Sequence, residues 1–323
     1  MRVLVTGGAG FVGSHLVEAL LERGDDVLVL DDFSTGTRHN LGDVADSPRL
    51  RVVEGSIVDE LLVNRLMANV DGCFHLAAAV GVNLIVEQPL QSLTTNIRGS
   101  EVVLGAAAHF GVKTLVTSTS EIYGKNTSDR LHEDEDRVLG SPLKVRWTYS
   151  EAKAIEEALA YTLWSAQGLP TVIARLFNTV GPRQTGHYGM VVPRFVRAAL
   201  AGDPLTVYGS GEQTRVFCHV ADAVAGLLAL WDEPRAHGDV FNVGGVGEVS
   251  IQALAERVRT ITDSSSPIVS VPYDEAYEPG FEDMQRRVPD TSKLHALTGW
   301  APGRDLDNIL RDVMSFQRST GRS

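Results

Sequence analysis

The sequence predicts an α/β protein, a doubly wound parallel sheet with a smaller, discontinuous second lobe. Three observations predict it. Short apolar runs alternate with longer helix-periodic stretches from the first residue to about Gln167, a glycine-rich turn follows the first apolar run, and beyond Arg175 the spacing turns irregular as glycine and proline cluster. Alternation of this kind is what strands joined by crossover helices leave in a sequence. A chain of 323 residues, 43% hydrophobic and 22% charged, can bury a core of that size.

Taken in order, the expected strands are Arg2–Thr6, Asp26–Leu30, Leu50–Glu54, Gly72–Leu76, Thr114–Ser118 and Thr171–Arg175, six in parallel, which fits a Rossmann-type sheet. The expected helices are Gly10–Arg23, Asp59–Met67, Leu90–Phe110 and Tyr149–Gln167, the last stopping before Gly168 and Pro170. Further on, Phe217–Trp231 reads as a return helix, Val240–Val243 as a strand and Ile251–Thr262 as a helix. The expected division is 1–177, with return segments about 217–243, as the cofactor-binding domain, and 178–216 with 244–323 as a substrate-binding lobe.

The 29 Lys and Arg against 41 Asp and Glu give a net charge of −12, so the basic footprint of a nucleic-acid binder is missing and any phosphate must be gripped locally. No segment reaches the ~18 uninterrupted apolar residues of a membrane span. The start MRVLVTGGAG lacks the pattern of a signal peptide. Two cysteines, Cys73 and Cys218, lie in apolar runs far apart, which argues against a disulfide framework and for a reducing compartment, so a cytoplasmic location is expected. No metal site is expected.

Directly after the first strand, GGAGFVG places Gly7, Gly10 and Gly13 in G-x-x-G-x-x-G spacing, with Phe11 and Val12 between the last two, ahead of a helix-periodic run. Such a turn lets a pyrophosphate approach the backbone at a helix N-terminus. The second strand ends in Asp31-Asp32, close to the ~20-residue offset at which an acid accepts hydrogen bonds from an adenosine ribose. A carboxylate there repels a ribose phosphate, so NAD is expected rather than NADP.

Tyr149 and Lys153 form Y-x-x-x-K, one turn apart on one helix face. A tyrosine is a poor base at neutral pH unless a cation stabilises its phenolate, and Lys153 is placed to do so. Upstream, Thr117, Ser118, Thr119, Ser120 and Glu121 fall at the carboxyl end of a strand, where open α/β sheets hold their ligands.

TGGAGFVGSHL, HLAA, TSTSEIYG, YSEAK and RLFNTVGPR, in this order, resemble the extended short-chain dehydrogenase/reductases that act on nucleotide-sugars. The resemblance runs from Arg2 to about Asp290. It implies Thr119, Tyr149 and Lys153 as catalytic hydroxyl, base and supporting lysine. It also implies that Gly7, Gly10, Gly13, Asp31, Ile57, His75, Ala77, Asn96 and Lys153 border or support the NAD pocket. The family often has Gly-Asp-Ile at the adenine contact, where this chain has Gly55-Ser56-Ile57, so Ser56 is expected to supply a hydrogen bond there. For a nucleotide-sugar, expected to be a UDP-sugar, the resemblance places Asn178 at a phosphate, Val192 and Phe195 near the base, and Arg215 and Arg287 at the diphosphate.

Oxidation at carbon 4 of the sugar is the shared first step, and the fate of the keto sugar separates the candidates. Thr119-Ser120-Glu121 looks like the Thr-Ser-Glu of UDP-glucuronate decarboxylases, whereas the hexose 4,6-dehydratases carry Asp-Glu where this chain has Ser120-Glu121. Against this, RQTGHYGMVVPRF departs from the decarboxylase pattern and is equally at home among 4-epimerases. Decarboxylation of UDP-glucuronate is therefore the first expectation and 4-epimerisation the alternative. Intact Thr119, Tyr149 and Lys153 argue against a non-enzymatic NAD-binding role. Relatives commonly dimerise through the two helices Leu90–Phe110 and Tyr149–Gln167, so a homodimer is expected, with Ala152, Ile155, Leu159 and Leu163 as its apolar stripe.

Overall fold

A computed structural model describes residues 1–79, 89–186, 190–272, 275, 284 and 286–321 of the chain. The first half runs β1 (Arg2–Thr6), α1 (Phe11–Glu22), β2 (Asp26–Asp31), β3 (Leu50–Glu54), α2 (Glu60–Met67), β4 (Gly72–His75), α3 (Pro89–Phe110), β5 (Lys113–Thr119), α4 (Thr148–Gln167) and β6 (Thr171–Leu176). There follow β7 (Thr179–Val180), α5 (Val191–Ala201), β8 (Leu205–Tyr208), β9 (Thr214–Val216), β10 (Cys218–His219) and α6 (Val220–Asp232). The chain continues through β11 (Asp239–Val243), β12 (Glu248–Ser250), α7 (Ile251–Thr262), β13 (Ile268–Val271), α8 (Ser292–Thr298) and α9 (Leu306–Ser319).

Seven strands form one parallel sheet in the order β11-β6-β5-β4-β1-β2-β3. The expected six are all there, and the run at Val240–Val243 supplies the seventh, pairing with β6. Because successive side chains of a strand point to opposite faces, each strand feeds two cores. Val3, Val5, Val27, Val29, Phe74, Leu115 and Val172 pack on one face beneath α1 and α6. Leu4, Leu28, Leu30, Cys73, Val116 and Ile173 pack on the other beneath α2, α3 and α4. Both faces are dry, which is why these strands read as near-continuous apolar runs.

A third core joins α5, α7 and α9 to β8 and β13. Three two-stranded ribbons accompany it, β7 with β10 and β8 with β13 in parallel, β9 with β12 antiparallel. The expected helix Phe217–Trp231 starts later than its apolar pattern suggests. Cys218 and His219 form β10, and the His219 ring accepts the Ala221 amide at 3.0 Å to cap α6. The expected dimer stripe is also divided, since Ala152 and Leu163 are buried within the chain and Leu159 packs against the core that holds Leu163, while Ile155 is 48% exposed. Among the described residues no helix is long and apolar enough to cross a membrane.

Strand order reverses direction between β1 and β4, and the crevice outside their carboxyl ends is where an open parallel sheet receives ligands. Gly7 leaves β1 there with φ +71°, and a Cβ on it would stand 2.8 Å from the Ala77 amide nitrogen beyond β4. Only glycine lets the two strand ends meet so closely.

Candidate active site

A cleft of about 740 Å³ opens at this switch point. Its cofactor end is built almost wholly from backbone. Gly7, Gly10, Phe11, Val12 and Gly13 line it, and no side chain caps α1, so the positive end of that helix faces the cleft. A Cβ on Gly13 would overlap the Gly7 carbonyl oxygen. Asn40 braces the turn, its amide donating to Ala9 O at 2.9 Å.

Asp31 closes this end. Its Oδ2 accepts the Ala9 amide and its Oδ1 the Phe33 amide, both at 2.9 Å. Burial raises its pKa, an effect the two amides partly offset. Ile57 and Ala77 line the cleft. Ser56 does not line it and instead accepts the Val58 amide. Asn96 also stands behind the wall, where its carboxamide bonds both the amide and the carbonyl of Ala79 at 2.7 and 3.1 Å. A glycine cradle that a Cβ would fill, an uncapped helix terminus and a carboxylate at the ribose offset together fit NAD.

At the catalytic end, Thr119 terminates β5 and its Oγ1 accepts the Glu121 amide at 3.2 Å, leaving the hydroxyl hydrogen to donate. Tyr149 and Lys153 come from the first turns of α4, anchored one turn further on where Glu157 takes a two-pronged grip from Arg175 of β6 at 2.7 and 2.9 Å. Lys153 lines the cleft and has two buried partners. Its ammonium donates to Thr117 O at 2.9 Å and to Glu156 Oε2 at 2.7 Å. Burial raises the Tyr149 pKa, and the charges of Glu156 and Glu121 push it further the same way. The lysine therefore already holds a carboxylate.

Next to these residues lies a charge cluster that only partly matches expectation. Glu121 pairs with Arg287 at 2.7 Å and with Arg146 at 2.6 Å, and Arg287 also donates to Ser120 Oγ at 3.3 Å. Burial alone would raise the Glu121 pKa, but the two guanidinium groups hold it at about 2. All four side chains face the cleft. Arg287, expected at a diphosphate, is thus engaged beside Thr119 and Tyr149.

Asn178 lines the cleft with φ +31° and donates to Val216 O at 2.8 Å. Val192 and Phe195, expected near the base, do not reach it. They are buried in the third core because α5 turns its apolar stripe inward. Arg215 lies outside the cleft lining on β9, with its guanidinium on the Thr214 carbonyl at 2.8 Å. Residues 187–189 of the RQTGHYGMVVPRF segment lie outside the described residues.

Sequence reasoning passed over Arg146, Glu156 and Arg183. Arg183 lines the cleft and bonds Ser14 Oγ at 3.3 Å and Asp43 at 3.1 Å, tying the segment after β7 to α1. The signal for Glu156 was available, since it follows Lys153 by three residues on one helix. The signal for Arg146 was weak, because it sits in a single turn ahead of α4 with no periodicity to read.

Comparison with known proteins agrees with this geometry. Residues 3–244 match the NAD dependent epimerase/dehydratase family. The chain is 40% identical to a UDP-N-acetyl-alpha-D-glucosaminuronate decarboxylase of Bacillus cytotoxicus over 98% of each chain. It is 38% identical to UDP-glucuronic acid decarboxylase 1 of Arabidopsis thaliana, over 98% of this chain and 70% of that one. Its fold overlays the UDP-glucuronic acid 4-epimerase of Bacillus cereus, solved with UDP-glucuronic acid and NAD, with a TM-score of 0.89 at 28% identity over 99% and 100% of the two chains.

Proposed function

Because the chain belongs to the NAD dependent epimerase/dehydratase family, the extended short-chain dehydrogenase/reductases, and takes NAD as its cofactor, we propose that it decarboxylates a UDP-uronate, with UDP-glucuronate the first candidate. The observation that carries this reading is the Arg146–Glu121–Arg287 cluster facing the cleft beside Thr119 and Tyr149. Two guanidinium groups against one carboxylate leave one net positive charge in a protein that is otherwise acidic. A carboxylate on the sugar is drawn to it. Glu121 already engages both arginines, so the substrate carboxylate is seated without the two-pronged grip that would oppose its departure.

NAD, when bound, would supply the hydride acceptor for carbon 4 and the donor for its later return. Gly7, Gly10, Gly13 and the first turn of α1 would hold its pyrophosphate, and Asp31 its ribose. Tyr149 takes the proton of the carbon 4 hydroxyl while Thr119 donates to that oxygen and orients it. With carbon 4 a ketone, the uronate is a β-keto acid, and breaking its carbon 5–carboxyl bond releases carbon dioxide and places the electron pair in an enolate that the ketone oxygen carries; a proton from water then enters at carbon 5 and restores the ketone, ready to take the hydride back. Tyr149, now a phenol, can donate to that oxygen. Ser120 lacks the acidic proton a 4,6-dehydration requires at that position.

The test is incubation with NAD and UDP-glucuronate or its 2-acetamido analogue, read by product mass. Loss of carbon dioxide is expected. A 4-epimerase is the second reading, favoured by the overlay on the Bacillus cereus enzyme, and would leave the mass unchanged. The cofactor domain is proposed as 1–177 with the return through β11, and the substrate lobe as the remainder around the third core. A homodimer through α3 and α4 is proposed from exposed Leu90, Ile155 and Tyr161, and a cytoplasmic site from the unpaired Cys73 and Cys218. Sedimentation giving a monomer at micromolar concentration would remove the dimer.

A further inference from the structure

Lys153 carries one positive charge and shares its helix, within one turn, with Tyr149, Glu156 and Glu157, the last already paired with Arg175. Glu156, three residues on, holds the ammonium at 2.7 Å, and Tyr149, four residues back, is the group the lysine is expected to assist. The Lys153 and Glu156 side chains are 2% and 1% exposed, so water screens neither.

The groups facing Glu156 come from four elements. Burial raises the Glu156 pKa, and the charge and hydrogen bond of Lys153 partly offset this; from α4 come also Tyr149 and Glu157, the latter acting as a like charge. From β4 comes His75, its Nε2 3.9 Å from Glu156 Oε1, and from α3 comes Ser100, which hydrogen-bonds His75 Nε2 at 3.3 Å and favours the Glu156 anion. From β5 comes the Thr117 carbonyl, which takes a second ammonium hydrogen. His75 is no second cation. Burial, and then the charge of Lys153, lower its pKa to about 3, and its Nδ1 is engaged with Thr6 Oγ1 at 2.8 Å. Tyr149 also faces Glu121, whose single charge Arg146 and Arg287 outnumber.

We propose that Glu156 is a positioning residue that competes with Tyr149 for the charge of Lys153 and so holds Tyr149 in its phenol form in the resting protein. With the ammonium bonded to Glu156, a Tyr149 phenolate on the same helix has less of that charge to compensate it, and uncompensated buried charge is strongly disfavoured. An ionised Glu156 therefore makes the Tyr149 phenolate harder to form. This rests on Tyr149 being the base of the proposed reaction.

Glu156→Gln tests it, because the amide oxygen still accepts from Lys153 while the charge is gone. Tyrosinate is titrated by ultraviolet difference absorbance in the NAD-loaded protein, with Tyr149→Phe as the subtraction. The acid limb of kcat/KM is read in parallel on whichever nucleotide-sugar the wild type turns over. Both are expected to move toward acid by about one pH unit, the size of effect a neighbouring buried charge produces. A merely structural Glu156 would lower activity at all pH values and leave both midpoints in place, and that result, or a shift toward alkali, overturns the proposal. Ser100→Ala, which weakens the hold on the Glu156 anion, is expected to shift both midpoints the same way by less. If Glu156→Gln does not fold, no shift or an alkaline shift in Ser100→Ala overturns the proposal instead. If the decarboxylase reading is wrong, the tyrosinate shift, which needs no substrate, persists and still supports the inference.

Discussion

The two ends of the cleft are made of different materials. The cofactor end is backbone: three glycines, an uncapped helix start and one carboxylate held by two amides. The substrate end is buried side-chain charge, with Glu121 between two arginines and Lys153 against Glu156. Backbone geometry gives shape and fixed dipoles that no protonation changes. Charge clusters give chemistry that depends on every member and on pH. Substitutions at the first end should therefore act through space and at the second through electrostatics.

The largest effect is expected at Tyr149. Tyr149→Phe keeps the ring and removes the proton acceptor, so turnover should fall by roughly 10² to 10⁴ while calorimetric binding of UDP-glucuronate and the thermal midpoint stay put. A loss of binding as large as the loss of turnover would move Tyr149 from chemistry to substrate recognition.

Next is the glycine turn. Overpacking costs about 1–3 kcal/mol, so Gly13→Ala should weaken NAD binding about tenfold to a hundredfold. A Cβ on Gly10 would meet the Gly7 carbonyl oxygen only at 3.1 Å, and Gly10→Ala should cost several-fold less. Equal losses at both positions, measured by calorimetry, would mean that the cradle is not set by the Gly7–Gly13 approach.

Arg146→Gln sharpens the comparison at the charged end. Losing one charge-assisted contact should raise KM for UDP-glucuronate about tenfold, with little change in the affinity for neutral UDP-glucose. An equal loss for both sugars would show that Arg146 does not read the carboxylate.

The smallest effect is the most diagnostic, because the two ends have opposite sign. Asp31 has a raised pKa, so its contribution to stability is present below its unfolded value and lost as pH rises through the folded one. Glu121 has a depressed pKa, about 2 against 4.5, so its contribution is present above the unfolded value and lost as pH falls through the folded one. In melting experiments without cofactor at neutral pH, Asp31→Asn should raise the midpoint by about a degree or two and Glu121→Gln should lower it. Shifts of one sign at both positions would contradict the contrast.

The same contrast explains what the sequence disclosed. All six expected strands of the sheet were legible because burial on both faces writes an apolar run, and the glycine turn because its residue type is dictated by backbone conformation. Helix spacing put Tyr149 and Lys153 on one face of one helix, and the resemblance carried by the surrounding motifs marked them as a candidate pair. Glu156 has equally good spacing, but an acid on a helix reads as solvated until a neighbouring helix and strand bury it. Val192 and Phe195 were assigned by resemblance, although Val192, Phe195, Val196 and Ala199 carry the stripe of a helix facing a core. Arg146 and Arg287 lie 141 residues apart, far beyond the reach of any periodic signal, and only the tertiary fold brings both onto Glu121.

The central claim is that the Arg146–Glu121–Arg287 cluster seats a sugar carboxylate that then leaves. The direct measurement is product mass from wild-type protein with NAD and UDP-glucuronate, beside the same reaction with its 2-acetamido analogue. The account predicts a nucleotide-sugar lighter by one carbon dioxide from at least one of the two. A product of unchanged mass from both would contradict it and make the protein a 4-epimerase.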